Sequence, residues 1–145
     1  MWFVYALSAS IIWGISYAAS GRVIERGVTP LVFFTLYAVV ATGVGLSALM
    51  ATGKLNDLVR IRETVGNDWS WLLIAVITSG VGALLIYLAI GEKNATLASL
   101  IEISYPIFVA FFTWLFFREL HFNSLTLLGA VMILGGVSVV YLSNR

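Results

Sequence analysis

One carboxylate, that of Glu102, lies deep inside an apolar segment. Its neighbours at helical spacing, Ala95, Ala98, Ser99, Tyr105, Pro106, Val109 and Thr113, give that segment a small, polar or acidic face. Leu100, Phe108, Phe111, Phe112 and Leu115 make the remainder bulky. A carboxylate is expensive in hydrocarbon and commonly marks a substrate or proton path. The structural alternative is hydrogen bonding to Ser, Thr or Tyr. Pro106 removes a backbone donor about one turn after Glu102 and predicts a kink there. Trp13 and Tyr17 share a face with Ser10 and Ser20, and Tyr37 and Tyr87 come from later segments. Such rings can wall a cavity for an organic molecule or a cation, with core packing as the alternative. The candidate substrate- or proton-binding set is therefore Glu102, Ser99, Tyr105, Trp13, Tyr17, Tyr37 and Tyr87, with Pro106 shaping the helix.

Other chemistries find few residues to work with. There is no cysteine, hence no disulfide, thiolate ligand or Cys nucleophile, and the one histidine, His121, cannot build a His-based metal site. Glu119 and His121 read as loop residues without a paired nucleophile, so no catalysis, metal or cofactor is expected. The net charge is +1, and no basic face points to nucleic acid.

These residues must be positioned by helices in lipid. The chain is 61% apolar and 10% charged, too little polar surface for a small globule in water. Spans of about 20 residues are predicted over 2–20, 31–50, 71–90, 95–117 and 125–142. The fold class is thus an all-α integral membrane protein, a five-transmembrane-helix bundle in one domain, 1–145. Five such segments in succession leave no polar face for water. Arg22 and Glu25 interrupt the first connection. Thr29-Pro30 opens the second span, Gly91 suits the end of the third, and Asn123 or Ser124 can cap the last. The connection 51–70 places Leu55, Leu58 and Val59 among charges, which suggests a short helix in the headgroup layer or a solvated loop. Trp2, Trp69 and Trp71 are interfacial anchors. Met1–Tyr5 lacks the basic start of a cleaved leader. Ala75, Ser79 and Ala83, then Ala38, Ala41, Thr42, Gly45 and Ala48, then Gly129, Ala130, Gly135 and Gly136 read as helix-packing seams.

With five spans, Lys54, Arg60, Arg62 and Arg118 fall on one side, and Arg22, Arg26, Lys93 and Arg145 on the other. The positive-inside rule then sets no orientation. Either flanking context or a partner decides it, or the chain inserts both ways and oppositely inserted copies pair as transporter repeats do.

The run Gly80-Val81-Gly82-Ala83 with Tyr87 and Ala89, then Asn94 to Leu100, Pro106-Ile107-Phe108, Arg118-Glu119 and Gly129 to Gly136 resembles the EamA-type domain of the drug/metabolite transporter superfamily. Trp13-Gly14 and Thr29-Pro30 fit the same pattern, so the likeness covers nearly the whole chain. It implies an inner (plasma) membrane, multi-pass carrier of small organic solutes working by alternating access. Family members usually hold two inverted repeats; this chain resembles one. The arginine many first repeats carry in span two is absent, and Tyr37 lies in that region, which favours similarity to a second repeat. The family's glutamate directly before the span-four proline is also absent; Glu102 lies a turn earlier.

No Lys or Arg lies within a span core, so a neutral or cationic metabolite or drug fits better than an anion. Burial disfavours a charged carboxylate, which points to proton coupling at Glu102. The partners expected are the lipid bilayer, the substrate, and an antiparallel homodimer mate or sister EamA protein. The alternative is a non-transporting membrane subunit or assembly partner.

Overall fold

Caps set where the helices begin. Thr29 Oγ1 accepts from the Val32 amide at 3.4 Å, with Pro30 in the first turn where its missing N–H costs nothing. Asn94 Oδ1 accepts from the Leu97 amide at 2.8 Å, and Asn123 Oδ1 from the Thr126 amide at 2.8 Å. Gly27, at φ +103°, makes the left-handed turn that separates the first two helices.

The computed structural model describes residues 1–119 and 123–144; His121 and Arg145, named above, lie outside them. In order come α1 (Trp2–Glu25), α2 (Pro30–Ala51), α3 (Leu55–Val59), α4 (Ile61–Val65), a 3-10 turn (Gly66–Asp68), α5 (Trp69–Glu92), α6 (Ala95–Glu102), α7 (Tyr105–Phe117) and α8 (Ser124–Ser143). No strand occurs among the described residues. Among the described residues, five stretches are long and apolar enough to cross a bilayer: α1, α2, 61–92 containing α5, 95–117 formed by α6 and α7, and α8. Their outward faces stay apolar, as with Val39 at 66% and Met132 at 69% exposure, which suits hydrocarbon.

Three expectations change. The first helix does not stop near residue 20 but continues to Glu25. Gly21, inside the extended helix, allows a close approach, since a Cβ on it would stand 2.9 Å from Ala95 Cβ. Gly91 is likewise inside α5 and not its cap; a Cβ there would stand 2.8 Å from Pro30 Cγ. Span four is disturbed within one turn after Glu102, as Pro106 leads one to expect, and the disturbance is an interruption of the helix and not only a kink within it. The helix breaks at Ile103–Ser104, and Pro106 occupies the first turn of α7. Pro106 cannot offer the N–H that would meet the Glu102 carbonyl, so α6 ends at the carboxylate-bearing residue.

Successive spans run antiparallel, and the core sits at one end. Ser20 and Gly21 of α1, Tyr87 and Ile90 of α5 and Ala98 of α6 are buried, with Phe33, Phe34 and Tyr37 of α2 packed against them. At the opposite end, Trp71 of α5 meets Phe116 and Phe117 of α7 at 5.2 and 5.0 Å. The glycines of the small-residue stripes meet no neighbouring helix within the chain. A Cβ on Gly45, Gly80, Gly82, Gly129, Gly135 or Gly136 would meet nothing within 4 Å. The hydroxyls of Thr42, Ser47, Thr78, Ser79 and Ser138 donate to carbonyls one turn back in their own helices, at 2.7–2.8 Å.

The two close crossings give a test. Gly21→Ala and Gly91→Ala should each lower stability by about 1–3 kcal/mol through overpacking, read as thermal unfolding in lipid nanodiscs. Gly135→Ala should leave it within about 0.5 kcal/mol. Equal melting of all three variants would contradict the crossing geometry.

Candidate ligand-binding site

Trp13 and Tyr17 stand one turn apart on α1, so their rings lie on one face, 5.4 Å between centroids. Tyr37 of α2 reaches Trp13 at 6.2 Å and Tyr87 of α5 at 5.7 Å, the latter edge-on. Phe33 packs edge-on against Tyr87 at 4.8 Å, and Phe34 lies 6.4 Å from Tyr37. Edge-to-face contacts of this kind suit the ring quadrupole. Three helices thus build one aromatic wall because the crossings at Gly21 and Gly91 bring them together.

A fourth helix supplies charge. The Tyr17 hydroxyl faces the Glu102 carboxylate closely enough for the two to interact electrostatically, and Tyr37 and Tyr87 are near enough to interact with Tyr17 in the same way. Glu102 is half-buried. No described Lys or Arg lies within ion-pairing distance of it. It ends α6, about 10 Å along the helix from Ala95. Tyr87 is 0% exposed. Its hydroxyl has no hydrogen-bond partner among the described residues, although Ser16 stands within loose reach. Orphaned buried hydroxyls are uncommon and call for a physical account.

Of the residues singled out from sequence, Trp13, Tyr17, Tyr37, Tyr87 and Glu102 therefore come together. Ser99 and Tyr105 do not join them. The Ser99 hydroxyl donates to the Thr96 carbonyl of its own helix at 3.0 Å, and Tyr105 is 60% exposed past the break. Ser10 and Ser20 also bond back, to Ala6 and Tyr17 carbonyls at 3.1 and 3.0 Å. Phe33, Phe34 and Ser16 complete the cluster without having been expected. Phe33 and Phe34 precede Tyr37 by four and three residues, a spacing that puts all three on adjoining positions of α2.

Glu102 has a second border. It lines a groove of about 630 Å³ between α5, α6 and α8, with Ile86, Ala89, Leu97 and Val140 among the walls and Lys93 and Asn144 at one end. There Lys93 Nζ donates to the Asn144 carbonyl at 3.3 Å. Glu119, by contrast, follows α7 and is separated from Glu102 by about 20 Å of helix. Among the described residues no three His, Asp or Glu side chains gather as a metal site would need.

Chemically, the arrangement offers an unpaired carboxylate, ring faces that attract cations and one uncommitted hydroxyl. No curated protein and no solved structure matches the chain. The model of the EamA-like transporter family matches residues 1–142. With five apolar spans around an intramembrane carboxylate and that match along almost its full length, the chain belongs to the EamA-like transporter family and is a multi-pass membrane protein with a transport role.

Proposed function

We propose that the chain carries small organic solutes, cationic ones preferred over neutral, across the inner (plasma) membrane by alternating access, with protons and substrate competing for Glu102. The observation that carries this reading is the Glu102 carboxylate, near the Tyr17 hydroxyl and without an ion-pairing cation among the described residues, set against the Trp13–Tyr37–Tyr87 wall. A cation satisfies both the carboxylate and the ring faces. An anion would find neither. The break after Glu102 adds backbone of the kind that lines sites in transporters.

Two oppositely inserted copies, or this chain with a sister protein, form the working carrier in this reading. Supporting it are the even distribution of Lys and Arg between the two sides and the open space beside Gly129, Gly135 and Gly136 on α8, where a neighbouring helix could approach closely.

Flux of tetramethylammonium and a panel of neutral solutes, measured in proteoliposomes under a pH gradient, tests the proposal. Protonating Glu102 removes its charge, so cation binding should strengthen as pH rises and weaken as it falls. Glu102→Gln should lower cation affinity on the order of tenfold and flatten that pH dependence. Unchanged pH dependence would remove Glu102 from the mechanism. Absence of chain-dependent flux for every solute would replace transport by this chain with a subunit role.

Tyr87→Phe separates a binding hydroxyl from a packing ring. Removing a buried hydroxyl without a partner should leave stability within about 1 kcal/mol or raise it, while binding of a hydrogen-bonding solute weakens. A large loss of stability would assign the hydroxyl to the fold instead. Tags at the N-terminus should be accessible from both sides of native membranes if copies insert oppositely; a single sidedness without a sister chain would exclude the inverted homodimer.

A further inference from the structure

The groove between α5, α6 and α8 has walls of one character and a floor of another. Ile86, Ala89, Leu97 and Val140 are apolar, and Glu102 lies among them. Lipid tails could cover the walls, but they would leave the carboxylate facing hydrocarbon without a counter-charge, which is costly. Lys93 does not relieve it. Its ammonium is engaged with the Asn144 carbonyl at 3.3 Å, at the groove end that α6 separates from Glu102 by about 10 Å. Glu92, Lys93 and Asn144 give that end a polar rim, close to the turn at Asn94 where the chain leaves the apolar layer. A groove of about 630 Å³ lies within the range of small-molecule clefts.

We propose that this groove is a lateral access and binding site for amphiphilic organic cations, whose charged head meets Glu102 while the aliphatic body lies along Ile86, Ala89, Leu97 and Val140. The occupant supplies what neither lipid nor Lys93 does, a positive charge at Glu102 joined to an apolar body. The carboxylate is then the wall shared by two compartments, the groove on one side and the aromatic cluster reached through Tyr17 on the other. The proposal rests on Glu102 as the cation site and adds a route to it from the membrane.

The absence of native cysteine allows a test with small changes. Ala89→Cys and Val140→Cys would place single thiols in the groove, and Asn56→Cys, exposed in the connection between α2 and α5 and off the groove wall, serves as control. Each variant is reconstituted in liposomes and labelled with N-ethylmaleimide. All three fold-checked variants should label. At ten times its Kd, octyltrimethylammonium should slow labelling at Ala89→Cys and Val140→Cys about tenfold by mass action, with the control within about twofold. Tetramethylammonium, which has the head and no body, should leave all three within about twofold. Adding Glu102→Gln should abolish the protection. Failure of the groove thiols to label, equal slowing at the control, or protection that survives Glu102→Gln would each overturn the groove proposal. Tetramethylammonium binding that persists in any of those cases leaves the Glu102 cation site standing; its loss in the wild-type chain overturns both.

Discussion

Two helix backbones can meet closely only where no side chain stands between them, and the packing of this chain turns on two such places. Gly21 lets α1 touch α6 at Ala95, and Gly91 lets α5 touch α2 at Pro30. Hydrocarbon offers little drive for helices to associate through apolar burial, so close contact and shape decide. Both crossings lie at one end of the bundle. The buried residues Ser20, Tyr87, Ile90 and Ala98 gather around them, and the aromatic wall and Glu102 extend from there toward the middle of the bundle. Toward the opposite end, glycines such as Gly45 and Gly80 meet nothing, and the Trp71 contacts with Phe116 and Phe117 tie α5 to α7.

Glu102 acquires its setting from a second local constraint. A helix that ran unbroken through residues 95–117 would need an amide at position 106, and proline has none. The chain answers with a break at Ile103–Ser104, with the Ser104 hydroxyl donating to the Ile101 carbonyl at 2.9 Å. The carboxylate thereby stands at a helix end, between an aromatic cluster and an apolar groove, and not halfway along a uniform rod. Tyr105, which an unbroken helix would have kept on the face of Glu102, is turned out to 60% exposure.

The spans and the isolated carboxylate were legible in the sequence because each is a strong local signal: long apolar runs, and one charge within them. The cap at Asn123 was legible for the same reason, since a cap depends on chemistry a few residues away, and Thr29 and Asn94 turn out to cap in the same manner. The aromatic partners of Tyr87 depend on which helices cross and at what height, and that is set by tertiary contact. Gly21 and Gly91 show the difficulty most directly. A glycine near the end of an apolar run reads as a stop or a cap, while its role here is the absence of a side chain facing another helix. The stripes on α2, α5 and α8 err in the other direction, for small residues announce that something can approach without saying whether it comes from the same chain. Ser99 and Tyr105 share the helical spacing of Glu102, but a two-residue break was enough to separate Tyr105 from it.

The hydroxyls along the spans are all turned inward on their own backbones in the cases of Thr42, Ser47, Thr78, Ser79 and Ser138. Each satisfies itself without holding a neighbour. None of these five hydroxyls ties one helix to another; the polar approaches between helices are instead the Lys93 bond to the Asn144 carbonyl and the Tyr17 hydroxyl facing Glu102. The two glycine crossings differ, for there the neighbouring helix stands where even a methyl group would not fit, and steric resistance to rearrangement is built in.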